Sequence, residues 1–136
     1  MVTYIIGTDG DAASEAIGDY LDQEVDSDDR LEIVNVLSSG ADADESIKGR
    51  EALEQLEERF EDRTSVTTHQ FSRGQSPTDE LIGYADEIDA DRIVIALRRH
   101  SRTERIIFGS VSHALLQRTT RPTTLVPLPE YQPPDE

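Results

Sequence analysis

Short apolar, β-branched blocks alternate with longer stretches of helical spacing along the whole chain. Val2 to Thr8 reads as a first strand, and Asp11 to Glu24 then sets Ala13, Ile17, Tyr20 and Leu21 at the spacing of one helix face. Leu31 to Leu37, with Ile33, Val34 and Val36, is a second strand; a polar loop over Ser38–Ala43 leads into a helix reaching about Asp62, whose expected inner stripe is Ile47, Leu53, Leu56 and Phe60. Ser65 to Phe71 alternates like a strand with one wet face and is placed at a sheet edge. Ser76-Pro77-Thr78-Asp79-Glu80 signals a helix start, because proline fits the first turn and acids suit its dipole. The inner face of that helix is expected at Leu81, Ile82, Ala85 and Ile88. Arg92 to Leu97 contains the most continuous apolar run, as in a central strand covered on both faces. A fourth helix from near Gly109 would bury Val111, Ala114 and Leu115, and Thr123 to Val126 is the last strand, framed by Pro122 and Pro127.

Strands separated by helices imply parallel neighbours, since a parallel pair needs a crossover. The expected fold is α/β: a single doubly wound, Rossmann-like five-stranded parallel sheet with helices on both faces. In the order 3-2-1-4-5, strands one and four are neighbours whose following helices leave on opposite faces, and the crevice at their carboxyl ends is where such sheets bind ligands. Thr8-Asp9-Gly10 and the segment after Leu97 both end there. Residues 1–128 form the expected domain, and 129–136 an acidic, disordered tail.

Composition narrows the chemistry. No run of eighteen apolar residues occurs, and the opening segment, with neither a basic n-region nor a cleavage site, reads as a strand; a cytoplasmic protein with no membrane partner is expected. Without cysteine there are no disulfides or thiolate sites. His69, His100 and His113 form no metal-spaced set, so no metal site is assigned. The net charge of −16, with one lysine among thirteen basic residues, resembles that of halophilic proteins, in which dispersed carboxylates keep the surface hydrated while salt screens their repulsion. The same sign argues against nucleic acid as a partner.

That charge is unevenly spread: residues 1–97 carry 25 acids and 7 bases, whereas residues 98–136 carry 4 acids and 6 bases. Four of those bases, Arg98, Arg99, Arg102 and Arg105, precede Gly109-Ser110 and the fourth helix. A helix start offers unpaired N–H groups, glycine admits a phosphate closely, and arginines neutralise it. Ion pairing of these arginines with Glu104 or with a partner subunit is the competing account.

From Tyr4 to Pro127 the sequence resembles the universal stress protein family. The resemblance is carried by Thr8-Asp9-Gly10 after strand one, by Arg105-Ile106-Ile107-Phe108-Gly109-Ser110-Val111-Ser112, and by Arg121-Pro122-Thr123-Thr124-Leu125-Val126-Pro127. It implies an adenine-nucleotide site built from Thr8, Asp9, Gly10, Val36, Ala96, Arg98, Arg99, Gly109, Ser110 and Val111, with ATP or AMP as cofactor and magnesium accompanying ATP. Asp9 would contact the adenine ring; capping of the first helix through the Asp11 or Ala12 amide is a compatible alternative. Gly109 and Ser110 would meet phosphates or serve as an ordinary helix cap, and Val36 would line the base pocket or simply belong to the core. Two leading glycines of the family motif fall on Ala96 and Arg99, where a methyl group and a long cation replace them. That departure is equally compatible with an empty site.

The reading is therefore a homodimeric stress-response binding or regulatory module with a degenerate nucleotide site. The last strand, with Thr124, Leu125 and Val126, would pair antiparallel across a twofold axis, since an exposed apolar edge is usually covered. A slow ATPase or autophosphorylating switch using the arginine loop for phosphates is the alternative, and a scaffold docking an acidic client protein is a third. No catalytic residue is assigned: neither a Gly-x-Ser-x-Gly elbow nor a Walker lysine is present.

Overall fold

The computed structural model describes residues 1–97 and 110–128. Five strands, β1 (Thr3–Gly7), β2 (Arg30–Val36), β3 (Ser65–Phe71), β4 (Arg92–Leu97) and β5 (Thr123–Pro127), alternate with four helices, α1 (Asp11–Glu24), α2 (Ala43–Phe60), α3 (Pro77–Ile88) and α4 (Ser110–Arg118). The strands form one sheet in the order β3-β2-β1-β4-β5 with every pair parallel, the expected doubly wound arrangement.

Successive strand residues point to opposite faces, and both faces are apolar. On one side Tyr4, Ile6, Leu31, Ile33 and Val94 pack against Ile17 and Leu21 of α1 and Leu56 and Phe60 of α2. On the other, Ile5, Val34, Ile93 and Ile95 meet Leu81 and Ala85 of α3 and Leu115 of α4. β3 lies at the edge, as its alternation predicts, and β4 lies between β1 and β5 with Ile93, Val94 and Ile95 buried.

Two carboxylates fix the start of β1. Asp29 Oδ1 accepts from the Val2 amide and Asp91 Oδ2 from the Thr3 amide, each at 2.8 Å, so the turns entering β2 and β4 both hold this strand. The Ser76-Pro77 signal is realised: Ser76 Oγ accepts from the Asp79 amide at the start of α3. Asp42 caps α2 in the same way through the Glu45 amide.

One expected core residue is outside. Ile47 is 47% exposed, because the stripe of α2 that reaches the sheet runs through Gly49, Ala52, Leu53, Leu56 and Phe60. At 3.6 residues per turn Ile47 points nearly opposite to Gly49. Tyr20, Ile82, Ile88, Val111 and Ala114 are half-buried.

Hydropathy also gave no hint of the charged groups inside. Glu32, in the middle of β2, is fully buried and accepts from Arg30 Nε at 2.6 Å and Tyr84 Oη at 2.7 Å, with His69 Nε2 at 2.8 Å. Burial alone would raise its pKa, but the hydrogen bonds from His69, Tyr84 and Arg30 outweigh burial and hold the carboxyl below its ordinary range. Glu80 of α3 is likewise buried and is gripped by both arms of Arg73.

Candidate functional site

β1 and β4 run side by side with Gly7 opposite Ile95, and the helices that follow them leave on opposite faces of the sheet. The carboxyl ends of these two strands therefore part around a crevice. It holds a cavity of about 220 Å³. Its walls are Gly7, Thr8 and Asp9 from the end of β1, Val34 and Val36 of β2, and Ile95 and Ala96 of β4. Ala13 of α1, Pro77 and Leu81 of α3, and Val111 and Ser112 of α4 complete the described lining.

The strand residues leave a slot rather than a filled core. A Cβ on Gly7 would come within 3.1 Å of both Ile95 Cγ2 and Leu81 Cδ1, closing the space between β1 and α3. Val34, Leu81 and Ile95 present aliphatic surface, suited to the faces of a flat ring. The first turns of three helices contribute to the rim, and each carries a partial positive charge at that end. α1 and α3 offset this with acids in their first turns, whereas α4 has none there, so α4 is the helix start best suited to an anion.

The turn that carries Thr8 is held from beneath. The Thr8 hydroxyl lies 2.7 Å from Ser14 Oγ, which donates to the Ala52 carbonyl at 2.9 Å. Asn35 Nδ2 donates to the Thr8 carbonyl at 2.9 Å, and Gln70 Nε2 in turn donates to Asn35 Oδ1 and the Ser46 carbonyl. Burial and these bonds make Thr8 a structural member of the site, with its side chain already engaged.

Of the residues singled out in the sequence, Thr8, Asp9, Val36, Ala96 and Val111 converge on the cavity. Gly10 does not line it; it occupies the N-cap of α1 and borders a separate pocket with Lys48 and Glu51. Because Gly10 holds that cap position, Asp9 sits one residue before the helix cap rather than at it. Ser110 opens α4, while Arg98, Arg99 and Gly109 lie outside the described residues, as do Arg102, Glu104, Arg105, His100 and the segment 129–136. Gly7 and Leu81 escaped as site residues because the hydropathy pattern absorbs them into the strand and the inner helix face, and Ser112 stands at the end of the motif over residues 105–112 without a role assigned there. Among the described residues no group of three His, Asp or Glu side chains could hold a metal ion. No helix among them is long and apolar enough to cross a membrane.

The family model described as the universal stress protein family matches residues 4–127. The chain is similar in structure to a universal stress protein from Archaeoglobus fulgidus, with 22% identity, 93% of this chain and 98% of that one covered, and a TM-score of 0.70. A structure of the Archaeoglobus fulgidus protein in complex with dAMP has 19% identity over 93% and 98% of the two chains and a TM-score of 0.65. A family protein from Arabidopsis thaliana with AMP bound has 12% identity over 93% and 92% of the chains and a TM-score of 0.66. No curated protein matches the chain in sequence.

Proposed function

The chain belongs to the universal stress protein family, and from that premise we propose that it is a homodimeric stress-response binding and regulatory module that holds an adenine nucleotide at the carboxyl ends of β1 and β4. The observation that carries the reading is the apolar slot between Gly7, Val34, Leu81 and Ile95, whose lining also includes Asp9 and the first turn of α4. At about 220 Å³ the described space lies below the roughly 300–1,000 Å³ of whole drug-sized ligands. It suits one ring system, with sugar and phosphate reaching outward to the α4 terminus. The dAMP and AMP named for the two similar structures agree with a base of this size.

Ala96 lines the slot where the family motif has a glycine, so phosphate recognition here differs from the glycine-based form. Arg98 and Arg99 supply the charge instead, and Gly109 and Ser110 supply helix-start amides. AMP binding in concentrated KCl, followed by calorimetry, tests the proposal. Micromolar affinity that weakens in Asp9→Ala and Arg99→Ala is expected; no heat from AMP or magnesium-ATP at millimolar concentration overturns it.

The edge formed by β5 supports the dimer. Ile93 donates to the Pro122 carbonyl and Leu128 to the Leu97 carbonyl, so along β5 the amides of Thr124 and Val126 turn toward β4 and those of Thr123 and Leu125 turn outward. Among the described residues no strand pairs with this outer row, and such a row invites a second strand. The acidic composition fits work in the cytosol of a high-salt cell.

A further inference from the structure

The cavity wall contains one buried hydroxyl that the fold does not use. Ser112, in the first turns of α4, lines the slot and is only 4% exposed. Among the described residues its Oγ has no hydrogen-bond partner, whereas the neighbouring buried hydroxyls of Thr8 and Ser14 bond to each other and to main-chain carbonyls. Removing a hydroxyl from water without replacing its hydrogen bonds opposes folding, and groups left in that state call for an explanation outside ordinary packing. The neighbouring wall residues Gly7, Val34, Leu81 and Ile95 can press on the faces of a ring but cannot choose its rotation within the slot. A serine hydroxyl donates one hydrogen bond and accepts others, so it matches the alternating donors and acceptors on a purine edge or the hydroxyls of an attached ribose.

On the reading of the cleft as an adenine-nucleotide site, we infer that Ser112 Oγ is a polar group that orients the bound nucleoside within the apolar slot. It touches the base or sugar and leaves the phosphate to other groups. Calorimetric titration of wild type and Ser112→Ala with AMP and with adenosine, together with melting of the unliganded proteins, tests this. The expected result is a loss of about tenfold in affinity for both ligands, the scale of one net hydrogen bond, with an unliganded melting temperature that is unchanged or higher. Affinity of the variant within about twofold of wild type overturns the inference, and so does a loss confined to AMP, which would assign the hydroxyl to the phosphate. A clear fall in the unliganded melting temperature overturns it as well, because the hydroxyl would then be bonded within the fold. These three outcomes leave the adenine site standing. A wild type that binds neither AMP nor adenosine overturns both readings.

Discussion

Thr8 and Ser14 are joined by a 2.7 Å hydrogen bond beneath the floor of the cleft, and Ser14 donates its own hydrogen bond to the Ala52 carbonyl at 2.9 Å. Since the Ser14 proton goes to the Ala52 carbonyl of α2, the single Thr8 proton is shared between Ser14 Oγ and the more distant Gly10 carbonyl at 3.3 Å. Ser14→Ala removes a fully buried link and leaves the Thr8 hydroxyl with only its longer bond to the Gly10 carbonyl. A loss of about 1–3 kcal/mol in urea unfolding is expected, with nucleotide binding weakened only through the turn. A variant as stable as wild type would show that the link carries no weight.

Two helix glycines allow close packing in different ways. A Cβ at Gly49 would lie 2.1 Å from Asn35 Oδ1, and that amide is fixed by its bonds to Thr8 and Gln70. A Cβ at Gly18 would meet the side chain of Arg59, which pairs with Asp19 and Asp22 near the surface, so what has to shift is a long side chain in a partly solvated ion pair. Gly49→Ala is therefore expected to cost about 1–3 kcal/mol by overpacking. Gly18→Ala offsets its displacement of Arg59 with the helix propensity of alanine, about 0.8–1 kcal/mol. Unfolding curves that rank the two variants the other way would contradict the packing.

The buried Glu32 predicts a distinct acid response. Its carboxyl is held below the ordinary range, so the stability it supplies is present above the unfolded pKa of about 4.3 and is lost as pH falls through the lower folded value. Glu32→Gln should flatten that part of the stability profile. Tyr84, raised to about 12 by burial and by its bond to Glu32, should lose its contribution as pH climbs from about 10 toward that value. In Glu32→Gln the tyrosinate absorbance step of Tyr84 should move down; an unmoved step would exclude the Glu32 contact as a cause.

The outward amides of β5 allow the dimer to be broken without touching the ladder to β4. Leu125→Pro removes one outward donor and leaves the amides of Thr124 and Val126 in place. Light scattering in concentrated KCl should give a dimeric mass for wild type and half that mass for the folded variant. A monomeric wild type would remove the strand-edge interface.

The sequence by itself determined the alternation of elements, and with it the parallel pairing of the strands, because each apolar block was too short for a helix and each helical stretch too long for a turn. It also placed Thr8 and Asp9 at the crevice, since a doubly wound sheet opens where the helices after two neighbouring strands leave on opposite faces, and the family resemblance added Ala96. Ile47 was misplaced because a hydrophobic side chain carries no record of which helix face the sheet will meet. Glu32, Glu80 and Ser112 could not be seen as buried from local pattern, as burial of a polar group depends on partners far away in the chain. Only the tertiary structure brought Arg30, His69 and Tyr84 to one carboxylate and placed a buried serine in the wall of a cavity, because hydrogen bonding and free volume are properties of residues meeting in space rather than of their order.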